Sequence, residues 1–74
     1  MPKLPVVSGA EVVRALQRAG FVVDRQRGSH VTLWHPGQRR SATVPVHPGD
    51  LPPGTLRSIL RQAGLSVEDF HSFL

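Results

Sequence analysis

Two residues, Gly28 and Ser29, are all that separates one β-type run from the next, and this spacing constrains the fold more than any other feature of the chain. A parallel pair needs a crossover of about a dozen residues or more, so strands joined this tightly pair as antiparallel neighbours. The first run opens at Phe21-Val22-Val23 and extends to about Arg27, and the second is His30-Val31-Thr32-Leu33-Trp34-His35. Pro36-Gly37-Gln38 is a turn signal. The third run spans Arg40 to Val46. Short gaps on both sides of the second run predict an antiparallel meander. Pro45 has no N–H for a ladder, so that end of the third strand belongs at an edge.

Strand parity then assigns faces. Val31 and Leu33 share one face of the second strand, and His30, Thr32 and Trp34 share the other. Ala42, Val44 and Val46 share a face opposite Ser41 and Thr43. Helices are expected over the apolar face, which leaves His30 and Trp34 on the open one, beside Ser41 or Thr43. A β-bulge at Gly28 would shift this assignment.

The helices are marked on either side. Ser8-Gly9-Ala10-Glu11 has the form of a capping box, with Val7 and Val12 at the staple positions. Val12, Val13, Ala15, Leu16 and Ala19 form a stripe of helical period that stops at Gly20. A proline- and glycine-rich connection, His47 to Thr55, leads into a second helix with Leu56, Ile59, Leu60 and Ala63 as its stripe and Gly64 as its stop. Arg57 and Arg61, four apart, form an exposed ridge that either tracks phosphates or is simply a solvated face. Leu65 to Phe70 repeats the grammar of staple and cap, with Ser66 as cap and Asp69 at N3, and predicts a short third helix. The order is α-β-β-β-α with a short extra C-terminal helix. It describes a two-layer α+β domain, one domain over residues 1–74.

A chain of 74 residues has no room for a deep pocket and a separate cofactor lobe, so an active site is expected on a surface or at a partner interface. It has no cysteine, which excludes disulfides and thiolate metal sites. No apolar stretch approaches a membrane span. The start, Met1-Pro2-Lys3-Leu4-Pro5, lacks the apolar core of a signal peptide, and the expected location is cytoplasmic. Formal charge is +4, and eight of the nine cationic residues are arginine. Arginine's planar fork matches phosphate oxygens in pairs, so the charge points to nucleic acid or an acidic protein as partner, or equally is only a solubilising surface in an arginine-favouring proteome.

Within this cationic chain, His30 is the candidate for proton transfer, since histidine exchanges protons near neutral pH. Arg25 and Arg27 precede it and Arg39 and Arg40 follow. Cleavage of RNA without a metal needs a base for the 2′-OH, positive charge for the phosphorane and an acid for the leaving 5′-oxygen. His30 can supply the first or third service, and Arg25, Arg27, Arg39 or Arg40 the second. The alternative is a histidine that ties the β-turn. Ser29 shapes the turn or bonds a phosphate, and no His–Asp relay marks it as a nucleophile. Gly28 supplies a backbone conformation barred to other residues or lets RNA approach closely. Trp34 stacks on an unpaired base, anchors a protein partner, or is a half-buried sheet residue. His47 reads as anchoring its loop, with a second acid or base as the alternative, and His35 and His71 read as surface residues. His30, His35 and His47 lack the spacing of a zinc motif, and no metal is expected.

Taken together, Leu16 to Gly20-Phe21, Gly28-Ser29-His30, Val44-Pro45-Val46-His47 and Gly54-Thr55-Leu56-Arg57-Ser58-Ile59-Leu60-Arg61-Gln62-Ala63-Gly64 resemble the HicA toxin family of toxin–antitoxin systems. The resemblance runs from Ser8-Gly9 to Phe70. It implies a double-stranded-RNA-binding-like fold and an endoribonuclease acting on mRNA with no metal or cofactor. It also implies a HicB-type antitoxin that blocks the active surface. The family's essential histidine falls on His30. Many relatives carry a second histidine or another polar residue next, where this chain has Val31. Two other readings stay open, a non-catalytic RNA-binding module and an inactive protein-interaction domain. The free oligomeric state is open between monomer and weak dimer.

Overall fold

The computed structural model describes residues 2–74. Its elements run α1 (Gly9–Arg18), β1 (Val22–Arg27), β2 (His30–His35), β3 (Arg40–Pro45), α2 (Pro53–Ala63) and α3 (Val67–Ser72). The strands form one antiparallel sheet in the order β1-β2-β3. This is the α+β arrangement that the spacing predicts, and it is consistent with a double-stranded-RNA-binding-like fold.

Local chemistry accounts for each helix boundary. At α1 the capping box closes in both directions: the Glu11 N–H donates to Ser8 Oγ at 3.2 Å, and the Ser8 N–H donates to Glu11 Oε1 at 3.0 Å. Two first-turn donors that have no helical partner are thereby satisfied. α2 begins without a side-chain cap, on proline, whose missing N–H costs nothing in the first turn. It ends at Gly64 in the left-handed conformation (φ 71°). α3 is capped by Ser66, whose Oγ accepts from the Asp69 N–H at 3.0 Å.

The core lies between the helices and the inner face of the sheet. Val12, Ala15 and Leu16 of α1 meet Val31 and Leu33 of β2, Ala42 and Val44 of β3, and Leu56, Ile59, Leu60 and Ala63 of α2. Phe21 and Phe70 close it from the connections and α3. The alternation assigned from strand parity is the alternation found: Val31, Leu33, Ala42 and Val44 are buried, while His30 and Trp34 are exposed.

The helix layer is shifted toward β3, and this the sequence does not show. α2 lies along that edge, where Gln62 Oε1 accepts from the Thr43 N–H at 3.1 Å and covers a donor the sheet leaves free. The first turn of α1 sits on the end of β3, with Gly9 against the Pro45 carbonyl oxygen; a Cβ at Gly9 would collide with it. Every residue of β1 is consequently exposed, including Val23 on the helix side.

Two expectations are corrected, the end of β3 and the place of His35, and the bulge considered at Gly28 is found elsewhere. β3 ends at Pro45, one residue before the expected Val46. The bulge lies within β1, between Val23 and Arg25, and the turn at Gly28 is regular. His35 is not a free surface residue. Its ring meets Phe21 edge-on at 5.1 Å, and its Nδ1 accepts from the Gln38 N–H at 3.0 Å, which closes the β2–β3 turn.

Candidate active surface

The site is built outward from the Gly28-Ser29 turn. Arg27 and His30 are the closing pair, with two residues between them. Gly28 has φ 58°, while Ser29 is not in the left-handed region. Positive φ at the first central position alone is the pattern of a type II′ hairpin turn, whose twist matches that of the strands it joins. A Cβ at Gly28 would meet nothing within 4 Å, so the requirement there is backbone conformation and not space. This fits the reading of Gly28 as a residue that supplies a backbone conformation barred to others.

The turn is also fastened sideways. The Ser29 carbonyl accepts from the Val46 N–H at 2.6 Å, which holds the exit of β3 against the β1–β2 turn. The residue after Val46 is thereby delivered to His30. The rings of His30 and His47 lie 6.4 Å apart between centroids, nearly perpendicular at 85°. Both side chains are exposed. Among the described residues, the histidine side-chain hydrogen bonds belong to His35 and His71, so neither ring of this pair is held as a structural acceptor.

The β1 bulge decides which arginines accompany His30. Without it, Arg25 and Arg27 would share the face opposite Val22. With one extra residue at Asp24, the register becomes Val22↔Trp34, Val23↔Leu33, Arg25↔Thr32 and Arg27↔His30. Directly paired residues of an antiparallel ladder share a face, so both arginines fall on the face of His30. The open face therefore carries three rows: Arg27, His30 and Pro45; Arg25, Thr32 and Thr43; Val22, Trp34 and Ser41. The Thr32 and Thr43 hydroxyls are 3.2 Å apart and bond to each other.

Other expected site residues lie elsewhere. Arg40 pairs with His35, at the opposite end of β2 and β3 from His30, and on the helix-side face. Five residue steps along the strand separate the two ends, about 17 Å. The Arg40 guanidinium lies over Gly64 at the end of α2, where a Cβ would come within 2.7 Å of it. Arg39 stands beside it in the turn, with φ 57°. Trp34 shares His30's face at about 13 Å along the strand. There it pairs with Val22 in a small apolar patch, 37% and 52% exposed respectively. Arg57 and Arg61 are exposed on α2, in the helix layer.

Among the described residues no polar or charged side chain is buried, so the site is an open surface and its cationic heads stand in water. Two surface depressions lie elsewhere, one lined by Pro2, Ser66, Val67 and Glu68 and the other by Val7, Glu11, Arg14, Arg18 and Leu74. No group of three or more His, Asp or Glu side chains among the described residues is placed to hold a metal ion.

Sequence reasoning did not bring His47 beside His30, which the structure does. The signal was arithmetic. With the β2–β3 turn closed by His35 and Arg40, His30 must pair with Pro45, and His47 follows two residues on. The bulge at Asp24 had no comparable local signal.

Comparison with individually curated proteins gives no match. The family model described as the HicA toxin of bacterial toxin–antitoxin systems matches residues 9–65, from the first residue of α1 through the whole sheet to the end of α2. A match over most of the chain, on a fold of the expected topology with the Gly28-Ser29-His30 turn exposed at one end of the sheet, places this protein in the HicA toxin family.

Proposed function

We propose that this chain is a metal-independent endoribonuclease that cuts mRNA, with His30 as general acid or base. Arg25 and Arg27 bind the RNA backbone beside it. The observation that carries this reading is the register of β1 and β2, which sets Arg27 opposite His30 and Arg25 in the next row of the same exposed face. Membership of a family known as mRNA interferases supports it.

The chemistry follows from these groups. The RNA 2′-oxygen attacks the adjacent phosphorus as its proton leaves to a base, and the P–O5′ bond breaks as that oxygen takes a proton from an acid. The product is a 2′,3′-cyclic phosphate and a free 5′-hydroxyl. Proton transfer by a positioned side chain is worth about 10²–10⁴-fold. Guanidinium groups beside the phosphate stabilise the charge that grows on the phosphorane oxygens. Trp34 and Val22 offer an apolar platform along the same strand for a base, or for the antitoxin, which we propose is of the HicB type and covers this face.

No helix among the described residues is long and apolar enough to cross a membrane, and we place the activity with its substrate in the cytoplasm.

The test is cleavage of a long RNA in excess EDTA by wild type and His30→Ala, both shown to be folded by circular dichroism. Cleavage by wild type alone, ending in a cyclic phosphate, is the expected result. Equal cleavage by folded His30→Ala removes the assignment. RNA binding without cleavage by either protein favours a plain binding module.

A further inference from the structure

We propose that His47 is the second proton-transfer group of this site, so that one of the two imidazoles takes the proton of the 2′-OH and the other gives a proton to the leaving O5′. The inference rests on the ribonuclease reading and goes beyond it, since a single histidine leaves one of the two transfers to water.

His47 is placed by the scaffold. On one side, the bond from the Val46 N–H to the Ser29 carbonyl pins the segment to the turn that carries His30. On the other, the Leu51 N–H donates to the Val7 carbonyl at 2.8 Å, and Ser8 and Asp50 form an isolated bridge. Gly9 lets the first turn of α1 close onto the Pro45 carbonyl just before it. A chain pinned at residues 46 and 50–51 has little freedom at 47.

The spacing suits the task. A general acid or base must come within about 3 Å of its oxygen. In an in-line displacement the entering and leaving oxygens lie on opposite sides of one phosphorus atom. The two imidazoles must therefore stand several ångströms apart, too far to bond each other and near enough to share a phosphate. A centroid separation of 6.4 Å meets both conditions. Neither ring is spent on a hydrogen bond to the protein among the described residues, in contrast to His35 and His71. Arg27, opposite His30 in the register, supplies the cation for the phosphate between them.

The experiment compares wild type, His30→Ala, His47→Ala and His47→Gln on two substrates. One is ordinary RNA. The other carries sulfur in place of the bridging O5′ at a mapped cut site, because a thiolate leaves without an acid. Each alanine variant is expected to fold and to cut ordinary RNA about 10²–10⁴-fold more slowly than wild type. One of the two should recover on the sulfur substrate and the other should not, which assigns acid and base. His47→Gln, which keeps hydrogen bonding but cannot transfer a proton, should be as slow as His47→Ala. Wild-type rates in either His47 variant, or recovery of neither or both alanine variants on the sulfur substrate, would overturn the proposal. If His30→Ala is inactive while folded His47→Ala is not, this inference alone fails. A wild type that does not cut RNA removes both readings.

Discussion

Removing Arg25 and Arg27 together should weaken RNA binding in a salt-dependent way that removing Arg39 and Arg40 does not reproduce. The bulge at Asp24 places the first pair in the two rows nearest the turn, on the face of His30. The second pair lies at the far end of the strands, with Arg40 on the opposite face over Gly64. The distance between the two ends, about 17 Å, exceeds the screening length of about 8–10 Å at physiological salt. Each phosphate neutralised on a single strand contributes about −0.7 to the slope of log K against log salt. Two contacts therefore contribute about −1.4, and their loss weakens binding about tenfold near 150 mM salt. The assay is fluorescence anisotropy of a short labelled RNA in a His30→Ala background, so that the probe survives, titrated at several salt concentrations. Arg25→Gln with Arg27→Gln should flatten the slope by about 1.4 units, and Arg39→Gln with Arg40→Gln by well under half of that. Thermal melts separate a binding loss from unfolding, which matters for Arg40 because it packs on α2. Equal flattening by both pairs would refute the reasoning by showing that RNA runs the whole length of the strands. No flattening by the first pair would show that this face does not bind RNA.

Gly28→Ala should destabilise the fold by about 1–2 kcal/mol, because an L side chain resists φ 58° although space is free around it. That corresponds to a fall in melting temperature of about 4–8 °C per kcal/mol for a domain of this size, and an unchanged melting temperature would show that the turn has no such requirement. The Glu11 carboxyl is held below its ordinary value of 4.5, chiefly by the backbone N–H of Ser8, then by the Ser8 hydroxyl. A depressed folded pKa contributes stability that is present above the unfolded value and is lost as pH falls through the folded one. The melting-temperature gap between wild type and Glu11→Gln should accordingly be open at neutral pH and close below about pH 4.5. A gap that stays constant through that range would mean that the ionised cap contributes nothing.

Much of the molecule is legible in the chain because the signals are local. Ser8 and Glu11 specify the start of α1 by hydrogen bonds three residues apart, and Ser66 and Asp69 do nearly the same for α3. Alternation in His30–His35 assigns the buried and open faces of the central strand, and the two-residue gap at Gly28-Ser29 forces its antiparallel partner. His30 could be placed on the open face beside the turn from these facts alone.

What failed to be legible depends on other elements. His35 has the sequence look of a surface histidine, and only the fold brings Phe21 beneath it and the Gln38 N–H onto its Nδ1. The pairing of His30 with His47 depends on a hydrogen bond between the β1–β2 turn and the exit of β3, seventeen residues apart.

The amino-acid sequence by itself determined the element order, the antiparallel meander, the core face and the exposed position of His30. Each follows from capping, turn chemistry and periodicity within a few residues. The tertiary structure alone decided which charges accompany His30. One bulge residue, Asp24, turned Arg25 and Arg27 to the open face, whereas Arg40 keeps the face of Ala42 and Val44 by simple alternation and lies over Gly64. A strand's side chains alternate with period two, so a single inserted residue inverts everything beyond it. That insertion becomes visible only when the partner strand fixes the register.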